Sequence, residues 1–168
     1  MYHRSIADNI RIGKPDAGDE EILEAAKRAE CMEFIDRLPD GMNTVAGDSG
    51  KMLSGGERQR VSIARAILKN AGVIVLDEAT AYVDPENAGK IDKAIQEVTK
   101  GKTVVIIGHK LQNLTGADQI VVLDSGRVIG TGTHGELLES CGHYRKLWEA
   151  ADKSKNWTIA GELGKEAL

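Results

Sequence analysis

The segment of the chain with the clearest chemical potential is residues 53–60, with the sequence LSGGERQR. Ser54 and Glu57 are three residues apart, which is the spacing of a capping box at the start of a helix. Gly55 and Gly56 each cost a helix about 1 kcal/mol relative to alanine, so they indicate close approach of the backbone to another group. Free amides and the positive end of the helix dipole favour an anion there. The spacing therefore predicts either a well-capped helix or a phosphate-binding helix terminus, to which Ser54 adds a hydroxyl donor.

Two adjacent carboxylates, Asp77 and Glu78, follow the apolar run at residues 73–76. Open α/β sheets place their ligands at the carboxyl ends of strands. Asp77 can bind Mg²⁺, which takes one or two carboxylates together with phosphate oxygens and water. Glu78 projects in a different direction and can accept a proton from an attacking water. The alternative is a solvated strand end.

A histidine, His109, stands just after a second apolar run at residues 103–107. It could reach the same sheet edge and donate a hydrogen bond to a terminal phosphate. The alternative is an incidental surface histidine. His3, His134 and His143 have no comparable context, and we assign them no chemical role.

No phosphate-binding P-loop, GxxxxGK[ST], is present in the sequence. Residues 101–103 have the sequence GKT, but Gln96 stands where the first glycine is required, and the segment precedes a predicted strand. Residues 50–51 fail as well, because Met52 follows them and Val45 occupies the earlier glycine position.

The elements that position these residues follow from hydrophobic periodicity. The periodicity predicts a short amphipathic piece at 6–12, helices at 19–29, 31–37, 54–68, 85–98, 133–139 and 143–150, and strands at 73–76, 103–107, 120–123 and 128–129. A turn at 124–126 joins the last two strands into a hairpin. Uninterrupted apolar strands that alternate with helices predict strands buried on both faces, and hence an α/β fold with a mainly parallel sheet. We expect a helical subdomain at 1–70, an α/β lobe at 71–150 and a polar tail at 151–168.

Composition limits the classes of function. The chain has 168 residues, of which 41% are apolar and 29% charged, which is typical of a soluble globular domain. A net charge of −4 gives no electrostatic basis for binding nucleic acid. Cys31 and Cys141 lack the spacing of metal ligands. Because no apolar run is long enough to cross a bilayer, we expect a cytosolic protein that reaches a membrane only through a partner chain or a missing segment.

Taken together, these segments resemble the ATP-binding cassettes of ABC transporters, closest to the exporter-type half-transporters. Residues 53–60 match the signature LSGGxxQR at every fixed position, and residues 73–78 match Walker B with its following glutamate. Residues 132–138 match the C-terminal GTHxELL pattern, and His109 matches the switch histidine. The resemblance covers about residues 5–150.

Two further segments resemble the family less closely. In the D-loop-like residues 80–84, only Asp84 matches strictly. Residues 47–50 occupy the place of an exporter loop that touches the transmembrane partner, with Asp48 where glutamate is usual.

The resemblance implies an incomplete P-loop NTPase-like cassette, with a helical signature subdomain, a mainly parallel sheet with flanking helices and a C-terminal hairpin. In the family, a preceding segment supplies the base-stacking aromatic residue, Walker A and the Q-loop. We therefore expect this chain to be the C-terminal part of a cassette and to be inactive alone.

The resemblance also implies roles in a head-to-tail dimer of two cassettes that enclose ATP and Mg²⁺. The nucleotide-binding residues of the signature would be Ser54, Gly55, Gly56, Glu57 and Gln59. Asp84 would also bind nucleotide and would bridge the two sites. Asp77 would position Mg²⁺ through water, Glu78 would activate the attacking water, and His109 would bind the γ-phosphate. The implied partners are a second cassette and a transmembrane domain, at the inner face of the cell membrane, with no nucleic acid.

Three alternatives stay open at this point. The chain could be an inactive remnant, a split subunit or a regulator that competes for a cassette partner. A lobe of a DNA-repair or chromosome-organising ATPase would need a heptad coiled coil, which is not visible here. The stand-alone cassette of an importer is disfavoured by the exporter-like entry at residues 5–10.

Overall fold

A computed structural model of the chain describes residues 1–47, 50, 52–77, 85–108 and 111–151. The helices are α1 (Ile6–Arg11), α2 (Asp19–Arg28), α3 (Met32–Ile35), α4 (Gly55–Lys69), α5 (Pro85–Thr99), α6 (His134–Ser140) and α7 (142–151), with 3₁₀ turns at Gly41–Asn43 and Leu111–Leu114. The strands are β1 (Val73–Asp77), β2 (Thr103–Ile107), β3 (Ile120–Asp124) and β4 (Arg127–Gly132). The elements belong to two compact units, Met1–Ile107 and Gly108–Leu168.

Helix α4 is at the centre of the first unit, where it contacts α1, α2 and α5. One apolar cluster includes Ile6 and Ile10 of α1, Phe34 of α3, Val61 of α4 and Ile91 of α5. Strand β1 and helix α5 share this core with the helices before them, and the division that we expected at residue 70 stays a prediction.

Strands β1 and β2 pair in parallel, in a register that runs from Val73 opposite Thr103 to Asp77 opposite Ile107. The predicted parallel α/β arrangement is thereby confirmed. The prediction that these strands are buried on both faces was wrong for the described residues. Ile74 is buried, whereas Val75 is 60% exposed, and so are large parts of the other apolar side chains Val73, Val105, Ile106 and Ile107. Within the described part of the chain, the helices cover only the face that bears Ile74.

The second unit consists of the β3–β4 hairpin and the helices α6 and α7. The two strands pair antiparallel with an irregularity between Val122 and Leu123, and Ser125 and Gly126 both have positive φ, at 48° and 76°. Two successive positive φ values are typical of the tight turn that the hairpin prediction requires. The core of this unit is one cluster: Ile120, Val122, Leu137, Cys141 and Tyr144.

His134, to which we assigned no chemical role, belongs to the packing of this unit. Its Nδ1 lies 2.9 Å from the Tyr144 hydroxyl, and its ring centroid lies 4.5 Å from that of Trp148. These contacts join the start of α6 to α7. Residues 152–168, most of the predicted tail, lie outside the described residues. None of the described helices combines the length and the apolar character that a membrane crossing requires.

Candidate functional site

The signature helix α4 begins with the capping box that the sequence predicts. The Ser54 Oγ accepts a hydrogen bond from the Glu57 amide at 3.2 Å, and the Ser54 amide donates to Glu57 Oε2 at 2.7 Å. The helix spans the 15 residues Gly55–Lys69, and its C-cap is Asn70, whose left-handed backbone has φ 49°. The local signals at both ends therefore set the length and the start of this helix.

Two exposed residues, Ser54 and Gly55, face outward at this helix start, while Gly56 is buried. Because Ser54 Oγ serves the cap as an acceptor, its O–H hydrogen stays available for another acceptor. The first amides of a helix have no carbonyl four residues earlier, and they lie at the positive end of the dipole. The first turn of α4 can therefore donate several hydrogen bonds to an anion.

Glu57 and Gln59 are the other predicted nucleotide-binding residues of the signature. The Glu57 carboxylate binds the Ser54 amide and lies 3.9 Å from Arg37 Nη2, so its oxygens stabilise the cap. Gln59 lies two residues further along α4 and is half-buried.

Asp77 is the last residue of β1, is exposed, and pairs in register with Ile107 at the end of β2. Glu78, Asp84 and His109 lie outside the described residues, so their placement stays a prediction. Among the described site residues, the structure brings the four at 54–57 together in one helix turn, whereas Asp77 belongs to a different element.

A bound Mg²⁺ is compatible with the donors at Asp77. Among the described residues, no group of three or more His, Cys, Asp or Glu could form a metal cage. A single exposed carboxylate fits Mg²⁺, because this ion takes most of its ligands from phosphate and water.

Sequence reasoning missed two arginines in the signature. Arg60 is 1% exposed, and its guanidinium carbon lies 5.4 Å from the centroid of the Phe34 ring. Arg58 Nη1 donates to the Leu53 carbonyl at 2.7 Å. The match of residues 53–60 to a known pattern was a signal that these positions matter, but it gave no indication of what the side chains contact.

Comparison with known proteins decides the family. The family model described as ABC transporter matches residues 2–81. The chain is 52% identical over 150 residues to the mycobactin import ATP-binding/permease protein IrtA of Mycolicibacterium thermoresistibile, a match that covers 89% of this chain and 16% of that protein. The chain belongs to the ABC transporter family. By family it corresponds to part of an ATP-binding domain.

Other ABC transporter proteins match a similar part of the chain. The β-(1→2)glucan export ATP-binding/permease protein NdvA of Nitrobacter winogradskyi is 49% identical over 160 residues, covering 95% of this chain and 26% of that protein. A solved structure of a bacterial Atm1-family ABC exporter with ATP bound has a TM-score of 0.79 and 38% identity, over 89% of this chain and 26% of that one. The chain therefore spans about a quarter or less of the length of these relatives.

Proposed function

We propose that this chain is the part of an ABC transporter cassette that binds the terminal phosphate of ATP. In this proposal the cassette hydrolyses ATP to drive transport across a membrane. The proposal rests on the start of α4, where two glycines follow a serine cap in the sequence LSGGxxQR. The names of the relatives, which combine ATP-binding and permease functions, support it.

In this proposal, ATP lies between two cassettes in a head-to-tail dimer. The Ser54 hydroxyl and the amides of Gly55 and Gly56 donate to the γ-phosphate of ATP that the second cassette binds. Glu57 keeps Ser54 in place through the capping box, at 2.7 Å from the Ser54 amide, and Gln59 lies next to the same nucleotide. Donors that are fixed before the reaction stabilise the charge that develops on phosphate oxygens.

The hydrolytic residues follow β1 and β2. Glu78 orients the attacking water and accepts its proton, and His109 donates to the γ-phosphate. Asp84 bridges the two nucleotide sites. Asp77 would hold Mg²⁺ through water, and the ion supplies neutralisation of phosphate charge when bound.

The proposed partners are a second cassette and a transmembrane domain, which place the chain at the inner face of the cell membrane. The relatives' names include import of mycobactin at 52% identity and export of glucan at 49% identity. Because the identities are so similar, the matched segment does not select the cargo, and we assign the choice of cargo to the membrane domain.

A second candidate is a split subunit or a regulator that competes for a cassette partner. No GxxxxGK[ST] pattern occurs within residues 1–168. The P-loop backbone and its lysine provide most phosphate contacts in such ATPases, so we expect the isolated chain to show no measurable ATPase activity.

A hybrid transporter tests the proposed function. In it, this chain replaces the matching segment of N. winogradskyi NdvA, which supplies the remaining parts of the transporter. We expect ATPase activity comparable to that of unmodified NdvA, and Glu78→Gln should lower it by about 100-fold or more, the usual effect of removing a general base.

The matched control is Glu139→Gln, which makes the same exchange at an exposed position of α6 and should leave the rate unchanged. A hybrid without ATPase activity, or a Glu78→Gln hybrid that hydrolyses ATP at the parent rate, would contradict the proposed function. ATP turnover by the isolated chain would contradict the need for a partner cassette.

A further inference from the structure

The guanidinium of Arg58 binds both ends of the turn that precedes the signature helix. Its Nη1 donates to the Leu53 carbonyl at 2.7 Å and lies 3.5 Å from the Gly50 carbonyl. The Leu53 amide also donates to the Gly50 carbonyl, at 2.9 Å. Hydrogen bonds from a charged donor are about twice as strong as neutral ones. One side chain therefore fixes the backbone immediately before the Ser54 cap.

Gly50 fits against the stem of the same side chain. A Cβ added to Gly50 would lie 2.7 Å from Arg58 Cδ and 3.1 Å from Cγ, distances at which one of the groups must move. Gly50 also has φ +75°, which L side chains rarely adopt. The contact with Arg58 thus needs glycine both for space and for backbone conformation.

The charged end of Arg58 lies beside the proposed phosphate-binding turn. Its Nη2 would be 3.9 Å from a Cβ placed on Gly55, and Gly55 is exposed. At the signature turn, an ion pair joins Glu57 to Arg37, and Arg58 takes part in none of the ion pairs found among the described residues. The hydrogen bonds found for the Arg58 guanidinium go to backbone carbonyls of the turn.

We propose that Arg58 is a positioning residue for the phosphate site at Ser54, Gly55 and Gly56. It fixes the Leu53 and Gly50 carbonyls, so the Ser54 hydroxyl and the first amides of α4 point toward the nucleotide before ATP arrives. A site that is ordered in advance loses less conformational freedom on binding. This inference rests on the proposed function, in which the turn contacts the γ-phosphate.

The hybrid transporter tests the inference by comparison of two nucleotides. ATP carries the γ-phosphate that the turn would contact, and ADP lacks it. Arg58→Gln should lower kcat/KM for ATP by about tenfold or more, because a charge-assisted contact to the turn is lost. The dissociation constant for ADP should stay within about twofold of the parent value, since ADP does not reach this turn. Arg58→Lys keeps the charge, but its ammonium is one bond closer to the backbone than Nη1, the atom that contacts both carbonyls, so it should resemble Arg58→Gln.

Gly50→Ala changes the other side of the contact and should produce the same loss for ATP with unchanged ADP affinity. Gly41→Ala is the matched control, because Gly41 also has positive φ, at +50°, but a Cβ there has no neighbour within 4 Å. The control should stay within about twofold of the parent kcat/KM. The double variant with Arg58→Gln and Gly50→Ala should lower kcat/KM for ATP by less than the product of the two single fold-losses, because both substitutions break the same contact.

Several results would overturn the inference. Arg58→Lys with parent activity would mean that charge alone matters. Equal losses of ATP turnover, ADP affinity and melting temperature in Arg58→Gln and Gly50→Ala would mean a general structural role. A parent hybrid without ATPase activity would refute the proposed function, whereas an active parent with an equally active Arg58→Gln variant would refute only the role of Arg58.

Discussion

Arg65 of α4 donates two hydrogen bonds to Asn9 of α1: from Nε to the backbone carbonyl at 2.9 Å and from Nη2 to Oδ1 at 3.4 Å. The Asn9 side chain is fully buried. Its Nδ2 lies 2.9–3.3 Å from the carbonyls of Tyr2, Arg4 and Ser5, and its Oδ1 accepts the Tyr2 amide at 2.9 Å. One buried amide thus organises the first five residues and connects them to the signature helix.

Replacing Asn9 by alanine should lower the free energy of unfolding by about 3 kcal/mol, because buried backbone groups and the Arg65 guanidinium lose their partner. Urea unfolding of the chain measures this. Asn43→Ala is the matched control: Asn43 is exposed, and its loss should change stability by less than about 0.5 kcal/mol. Equal stabilities of the two variants would mean that the Asn9 contacts contribute little.

Two glycine substitutions should change stability in opposite directions. A Cβ on Gly13 would lie 2.3 Å from the Arg65 carbonyl oxygen, so Gly13→Ala should force α1 and α4 apart and destabilise the chain by about 1–3 kcal/mol. Gly89 is exposed within α5 and has no neighbour within 4 Å of an added Cβ, so Gly89→Ala should stabilise by about 0.5–1 kcal/mol. Thermal unfolding of both variants checks the signs, and a destabilising Gly89→Ala would contradict the described helix.

Features with local causes were predictable from the sequence. The start of α4 follows from Ser54 and Glu57, three residues apart, and the structure has both hydrogen bonds of the capping box. Strand β2 has the predicted bounds, Thr103–Ile107, and the hairpin turn lies at Ser125 and Gly126 as expected. Short-range spacing and turn chemistry determine each of these elements.

Features that depend on distant residues were not predictable. Asn9 and Arg65 are 56 positions apart, and no periodicity links them. The cation–π contact of Arg60 with Phe34 has the same character. The apolar run of β1 predicted burial on both faces, but burial depends on which elements cover a strand, and the described ones leave Val75 exposed.

Exchange of the helix cap can separate stability from chemistry at Ser54. Aspartate is as good an N-cap as serine, so Ser54→Asp should change the free energy of unfolding by less than about 1 kcal/mol. Its negative charge would face the γ-phosphate, and the ATPase rate of the hybrid transporter should fall by about tenfold or more.

Thr133→Asp is the matched control for this exchange, because Thr133 caps α6 through the same capping box with Glu136. It should have a similar effect on stability and leave the ATPase rate within about twofold of the parent. If Ser54→Asp hydrolysed ATP as fast as Thr133→Asp, Ser54 would not face a phosphate.

The thiol of Cys31 should react only when the chain unfolds. Burial raises its pKa from 9.0 to about 12, and the nearby charge of Arg60 opposes this rise only in part. At pH 9, an unfolded Cys31 is about half thiolate, whereas the folded thiol is ionised about 500-fold less. Iodoacetamide at pH 9 should therefore modify Cys31 at least about 100-fold more slowly in buffer than in urea, as followed by mass spectrometry of the Cys31 peptide.

The same shift makes stability depend on pH. Between pH 9 and about 12 the folded chain keeps the Cys31 proton that the unfolded chain releases, so the free energy of unfolding falls as the pH rises. Because alkaline pH also affects other parts of the chain, the comparison that isolates Cys31 is the parent against Cys31→Ala at pH 8, 9, 10 and 11. The variant should lose less stability than the parent over this series. Parallel curves, or rapid modification of the folded thiol, would show that Cys31 is ionised in the folded chain at a lower pH.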